Sequence, residues 1–310
     1  MTVYAWARPR RFPDLPPAED RLFQVTSDTQ VLAHCFWQAN RTAHPLLVAL
    51  HGLEGSSGAH YMRGVADKAR RAGFNVLLLN QRNCGGTEHL GPGLYHSGLT
   101  EDADAVIKEV LGSEGIRDVV VAGYSLGGNL ALKLAGEYGD GAPPWLRGVC
   151  AVSPVMDLPS CVAALERRQN IIYQWNFVRG LRARMRRKDA CHPGRFDLAP
   201  LSSIRTIREF DERYTSQFFG FGGATNYYHR ASSMRVVGQI RVPAMILTAE
   251  DDPFVPTAPF RDPAVARNPR IQVVITKYGG HCGFLGPATS VSDGYWAEER
   301  IVEFALAHTG

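Results

Sequence analysis

Apolar and polar positions alternate through residues 21–37 on either side of Ser27-Asp28-Thr29-Gln30, which predicts a β-hairpin. Leu46 to Leu50 is a short unbroken apolar run, a buried strand that ends at His51-Gly52-Leu53. A helix is expected over roughly 59–72, and a second buried strand over Val76 to Leu79, closing at Asn80-Gln81-Arg82-Asn83-Cys84-Gly85-Gly86. Residues 100–111 read as a helix, with Thr100 as N-cap and acidic residues in the first turn. An apolar strand at Val119-Val120-Val121-Ala122 and a helical pattern from Leu126 to Tyr138 come next, then a strand at Gly148 to Val152.

Strand and helix alternate from 46 to 152, which implies a parallel sheet with right-handed crossovers. Residues 155–238 break the rhythm: they are rich in Arg, Tyr and Phe and carry no strand pattern. Strands resume at Ala244 to Ala249 and Ile271 to Lys277, and a final helix is expected over about 293–308. The expected fold class is therefore α/β, a mostly parallel central sheet with helices on both faces. The expected division is a core of residues 1–154 and 240–310, interrupted by a helical cap at 155–239.

The chemistry centres on Gly123-Tyr124-Ser125-Leu126-Gly127, a Gly-x-Ser-x-Gly sequence set between a predicted strand and a predicted helix. That is the context of a nucleophile elbow, where a sharp turn presents a serine and bulky neighbours would clash with strand and helix. A serine hydroxyl needs a base, and the base needs an orienting acid, in the chain order Ser, acid, His. Asp252 follows the strand 244–249 in Asp251-Asp252-Pro253-Phe254-Val255-Pro256 and is the expected acid; Asp251 reads as a solvated loop residue. His281, flanked by glycines in Tyr278-Gly279-Gly280-His281-Cys282-Gly283-Phe284, is the expected base. The oxyanion donors are expected to be the backbone N–H of Leu126 and, from the Gly-loosened loop after the strand 46–50, that of Leu53. Glu54 would oppose an oxyanion, so its carboxylate should point away.

Other signals are weaker. His192 to Asp197 matches the His-x4-Asp acyltransferase spacing, but lies in the cap with a proline beside the histidine. The basic run Arg179 to Lys188, next to Ile171, Ile172, Tyr173, Trp175 and Phe177, reads first as a cap helix with a solvated basic face and second as an anionic-lipid contact. The net charge of +4 is too mild to imply nucleic acid. The six cysteines contain no Cys-x-x-Cys pair, which argues against structural zinc. Met1 to Pro17 lacks the apolar core of a signal peptide, and no apolar run is long enough to span a bilayer. A cytoplasmic location is expected, with peripheral attachment at the inner face of a membrane as the variant.

Together these motifs resemble the YheT-type esterases of bacteria, α/β-hydrolases akin to the eukaryotic ABHD lipid hydrolases. The resemblance rests on His51–Ser56, Asn80–Gly85, Tyr95–Asp102, Gly123–Asn129, Ile207–Asp211, Asp251–Phe254 and Gly279–Phe284, in that order along most of the chain. It implies carboxylic-ester hydrolysis by Ser125, Asp252 and His281, without a cofactor. Two positions depart from the family pattern: Asn83 stands where Gly is usual after Arg82, and Phe219 stands where a His is expected before Gly220. Arg82 and Asp211 read as ionic fasteners between core and cap. The expected substrate is a small acyl ester or lipid, with Phe177, Phe218, Phe219, Phe221, Tyr227 and Tyr228 as candidate pocket liners. Two alternatives stay open: an acyltransferase using the same triad, and a non-catalytic lipid-binding homologue.

Overall fold

The computed structural model describes residues 10–289 and 292–310. The first nine residues, about half of the segment Met1 to Pro17, lie outside the described part. Eight strands form one sheet: β1 (Glu19–Thr26), β2 (Thr29–Phe36), β3 (Leu46–Leu50), β4 (Asn75–Leu79), β5 (Val119–Tyr124), β6 (Leu146–Val152), β7 (Ala244–Ala249) and β8 (Ile271–Thr276). Their order across the sheet is β1-β2-β4-β3-β5-β6-β7-β8. The β1–β2 and β2–β4 pairs are antiparallel and all others parallel.

Burial follows position. Strands β3 to β7 are buried at nearly every residue, as expected of strands covered on both faces, whereas the edge strand β1 is mostly exposed. Side chains of β3 alternate between two cores. Leu46, Val48 and Leu50 pack with α2 (Glu101–Glu114) and α3 (Leu126–Tyr138). Leu47 and Ala49 pack with Met62 and Val65 of α1 (His60–Arg71), and with Ile301 and Phe304 of the C-terminal helix, Trp296–His308.

Several local expectations shift. Thr100 does precede α2, but its hydroxyl donates to Glu137 instead of capping, and the helix runs on to Glu114, stopping at Gly115 in the left-handed region. The C-terminal helix begins three residues late because Gly294 has φ +84°. Between β6 and β7 the chain is helical: α4 (Leu158–Leu165), α5 (Ile171–Cys191), a helical run from Ile207 to Phe218 with a π-helical middle at Asp211–Thr215, and α6 (Ala224–Ala231). The C-terminal helix is α7.

Parallel register brings the C-terminal ends of β3, β5 and β6 level: Leu50 lies beside Gly123, and Tyr124 beside Val152. The loops leaving this edge carry Leu53, Ser125, Asp252 and His281, the crevice where α/β sheets place their ligands. No described helix is long and apolar enough to cross a membrane.

Candidate active site

Ser125 sits between β5 and α3 with φ 55° and ψ −114°, a strained conformation for a residue with a Cβ. The glycines around it are sterically required. A Cβ on Gly123 would lie 2.0 Å from the Gly127 carbonyl oxygen, and one on Gly127 would lie 2.2 Å from that of Leu50. The Ser125 N–H donates to Val152 O at 2.8 Å, and the Ser125 carbonyl accepts from Asn129 and Val155, so the turn is tied to β6 and α3.

The structure brings the three predicted side chains together. The Ser125 hydroxyl lies 2.9 Å from His281 Nε2, and His281 Nδ1 lies 2.9 Å from Asp252 Oδ2. Since an ionised carboxylate only accepts, Nδ1 carries the proton and Nε2 is left to accept from Ser125. Asp252 Oδ1 accepts from the N–H groups of Phe254 and Val255, which fixes the carboxylate at the head of its turn. Burial lowers the His281 pKa, but Cys282 and Asp252 act against it and the net direction is upward. Asp252, hydrogen-bonded to Nδ1, is the carboxylate that favours the protonated imidazole.

Asp251 is more than a solvated loop acid. Its Oδ1 accepts from the N–H groups of Gly279 and Gly280, both at 2.7 Å, and so pins the loop that carries His281. Phe254, which residue type alone does not mark as a site residue, packs its ring 4.1 Å from the imidazole, centroid to centroid. Its place in the Asp251–Phe254 motif is the one signal of this role in the sequence.

The candidate oxyanion donors border the same pocket as Ser125. Leu126 is the first residue of α3, so its N–H has no partner within the helix. In the β3 loop, Gly52 N–H donates to Tyr61 and Glu54 N–H to Tyr95, while the Leu53 N–H between them donates to nothing among the described residues. His51 fixes this loop. Its Nε2 accepts from Gln81 N–H, so its Nδ1 donates to Gly52 O at 2.8 Å. Burial pushes His51 down to about 4 and keeps it neutral. Because the peptide is planar and trans, holding the Gly52 carbonyl aims the Leu53 N–H the opposite way. The Glu54 carboxylate turns to Arg184 of α5, at 2.5 Å.

The pocket beside Ser125 is narrow, with about 80 Å³ of free space. Its walls are mostly apolar and come largely from the segment between β6 and β7, among them Leu158, Cys161 and Val162 of α4 and Leu181 of α5. Phe177, Tyr227 and Tyr228 are among its lining residues. Phe218, Phe219 and Phe221 are not: they sit at the end of the helical run, where Gly220, Gly222 and Gly223 at positive φ reverse the chain. Phe219 and Phe221 instead pack edge-on against His96, and Phe218 is 36% exposed. A lining carboxyl, Asp211, is pushed up to about 6 by burial against hydrogen bonds from Thr215 and Tyr228.

One further expectation is corrected. Arg82 and Asp211 are not a pair of fasteners: Arg82 forks onto Asp102 with two 2.6 Å bonds inside the core, and Asp211 is held within the helical segment. The polar links from α5 to the core include Arg184 to Glu54 and Cys84, Arg187 to Glu88, and Lys188, which donates to Asn83, Glu88 O and Gly91 O. Asn83 has φ 63°, a conformation asparagine tolerates better than most residues, which accounts for its standing in a glycine position. His192 faces Glu88 O, and Asp197 accepts from Ala199 N–H, so the His-x4-Asp spacing forms no catalytic pair. Among the described residues no group of three His, Cys, Asp or Glu could hold a metal ion.

This elbow on this sheet defines a class. The chain belongs to the alpha/beta hydrolase fold family, which matches residues 45–287. Among its relatives, YheT of Escherichia coli (strain K12) is 33% identical over 301 residues, 96% of this chain and 87% of that protein. The phospholipase ABHD3 of Mus musculus is 28% identical over 250 residues, 80% of this chain but only 60% of that protein's length. The Pyrococcus furiosus esterase Pf2001 shares the fold at a TM-score of 0.63, with 17% identity and 98% of both chains covered.

Proposed function

We propose that the protein is a carboxylic-ester hydrolase that works through an acyl-enzyme on Ser125. His281 takes the Ser125 proton as the hydroxyl attacks the ester carbonyl, then gives it to the departing alcohol. Asp252 holds the imidazole in the required tautomer and stabilises the imidazolium that forms. The Leu126 and Leu53 N–H groups stabilise the tetrahedral oxyanion, each donor contributing about 3 kcal/mol in well-studied cases. Water, activated by His281, then releases the acid. Residues 155–239 act as a cap that shapes the acyl side of the site. The reading rests on one observation above all: the two 2.9 Å hydrogen bonds that join Ser125, His281 and Asp252 at a strained elbow. The names of its relatives, which include a phospholipase, favour acyl-ester or lipid-like substrates.

The test is active-site labelling with a fluorophosphonate, read beside turnover of p-nitrophenyl esters. Wild type should label and turn over substrate, while Ser125→Ala should do neither. Equal labelling of the two proteins would overturn the assignment.

A further inference from the structure

The outer face of α5 combines two features, a cluster of exposed apolar side chains and a groove lined by arginines. At its start, Ile171, Ile172 and Trp175 are 63%, 74% and 60% exposed, three large apolar side chains clustered on adjacent turns. Further along the same face, Arg179, Arg182 and Arg186 follow Trp175 at helical spacing and, with Arg205, surround a groove floored by Val178 and Ile204. Trp175 also lines this groove, and the Arg179 guanidinium lies 4.9 Å from its ring.

Among the described residues, the arginines of this groove have no acidic side-chain partner. Among the described residues, Arg179 donates to the Asn176 side-chain oxygen, while Arg182 and Arg205 donate to the Ser202 carbonyl, all neutral acceptors. None of the four forms an ion pair with a carboxylate among the described residues. The acid beside Arg205, Glu209, is occupied by the backbone N–H groups of Arg205 and Thr206 in a helix cap. Other arginines of the same segment do find carboxylates: Arg184 pairs with Glu54, Arg187 with Glu88 and Arg208 with Glu166. Lys188 also meets only neutral oxygens, but it is buried against the core; at the surface of α5, positive charge without a carboxylate partner among the described residues gathers on this face, beside apolar side chains that water solvates poorly.

We propose that this face is a docking surface for an anionic lipid bilayer. Phosphate and carboxylate headgroups would occupy the arginine groove, and Ile171, Ile172 and Trp175 would enter the interfacial layer, the division of labour found in amphipathic surface helices. Arginine suits this role because its planar fork binds phosphate through two parallel hydrogen bonds while its stem lies along apolar surface. The same helix turns Phe177 and Leu181 inward to the pocket that holds Ser125, so docking through α5 would leave that pocket one helix away from the bilayer. This surface is separate from the acyl-transfer chemistry and stands or falls independently of it.

The experiment is co-sedimentation of the full chain with sucrose-loaded vesicles of phosphatidylcholine alone or mixed with phosphatidylserine. Wild type should sediment with the mixed vesicles, little with the neutral ones, and progressively less as salt is raised. The triple variant Arg179→Gln/Arg182→Gln/Arg186→Gln should partition on the order of 100-fold less. Trp175→Ala should also weaken binding, and both variants should retain wild-type turnover of a soluble short-chain ester, which shows that they fold. Equal sedimentation with both vesicle types would overturn the proposal, as would wild-type binding by the triple variant. Binding of inorganic phosphate or of a short RNA to the groove without any vesicle binding would overturn it too.

Discussion

Asp251 and Gly280 are joined by a 2.7 Å hydrogen bond, carboxylate to backbone N–H, one residue before the histidine that Asp252 holds. Two adjacent aspartates thus share the placement of His281, with Asp251 fixing the loop and Asp252 fixing the ring. Their substitutions should separate. Asp252→Asn should lower kcat by on the order of 10⁴, the cost of a wrong imidazole tautomer in serine proteases. Asp251→Asn keeps an acceptor oxygen and should be mild, whereas Asp251→Ala frees the loop and should fall between the two. Steady-state turnover of a p-nitrophenyl ester decides it, and a reversed order would mean that the acid has been misassigned.

The pH dependence follows from the same contact. A base must be neutral to work, so kcat/KM should rise with pH through the His281 pKa of the free enzyme. That pKa is raised, so the rising limb should lie above the ordinary histidine value of 6.5. Removing the Asp252 charge in Asp252→Asn should move the limb toward lower pH even as the plateau drops. A wild-type limb at or below 6.5 would show that burial, not the carboxylate, dominates at His281.

Much of this arrangement is legible in the sequence because it is local or ordered along the chain. Gly123 and Gly127 are needed by the turn itself, and the strands at Leu46–Leu50 and Ala244–Ala249 are apolar runs, the second interrupted only by Thr248, bounded as the structure bounds them. Asp252 and His281 can be found because each follows a readable strand. What could not be read was the facing of side chains where periodicity is absent. Phe218, Phe219 and Phe221 share composition with Phe177, yet three glycines at positive φ turn them elsewhere. Arg82 carries a charge that any nearby acid could satisfy, and only the fold shows that Asp102 does.

The Arg184–Glu54 pair should matter for both stability and catalysis. Both groups are largely shielded, and Glu54 follows Leu53 directly. Arg184→Met would leave the Glu54 charge without its partner and should destabilise the fold by about 2–4 kcal/mol, measurable by urea denaturation. Adding Glu54→Gln should recover a good part of that loss. If the double variant is no more stable than Arg184→Met, the pair is not coupled as its distance implies.

The pocket walls should set acyl length. With about 80 Å³ free beside Ser125, and a water needing roughly 10–15 Å³ of such space, the pocket as it stands suits short acyl groups. Wild type should therefore hydrolyse butyrate esters faster than palmitate esters. Phe177→Ala removes a ring from the lining and should shift the preferred chain toward longer acids, with short-ester turnover falling far less than in Ser125→Ala. Phe219→Ala removes a ring that packs on His96 outside the lining and should leave the preference unchanged. A p-nitrophenyl ester series across chain lengths compares the two. If Phe219→Ala shifts the preference and Phe177→Ala does not, the acyl chain runs along a different path from the pocket beside Ser125. If instead short-ester turnover in a folded Phe177→Ala variant collapses to the Ser125→Ala level, residues 155–239 take part in the chemistry itself and are not only a cap.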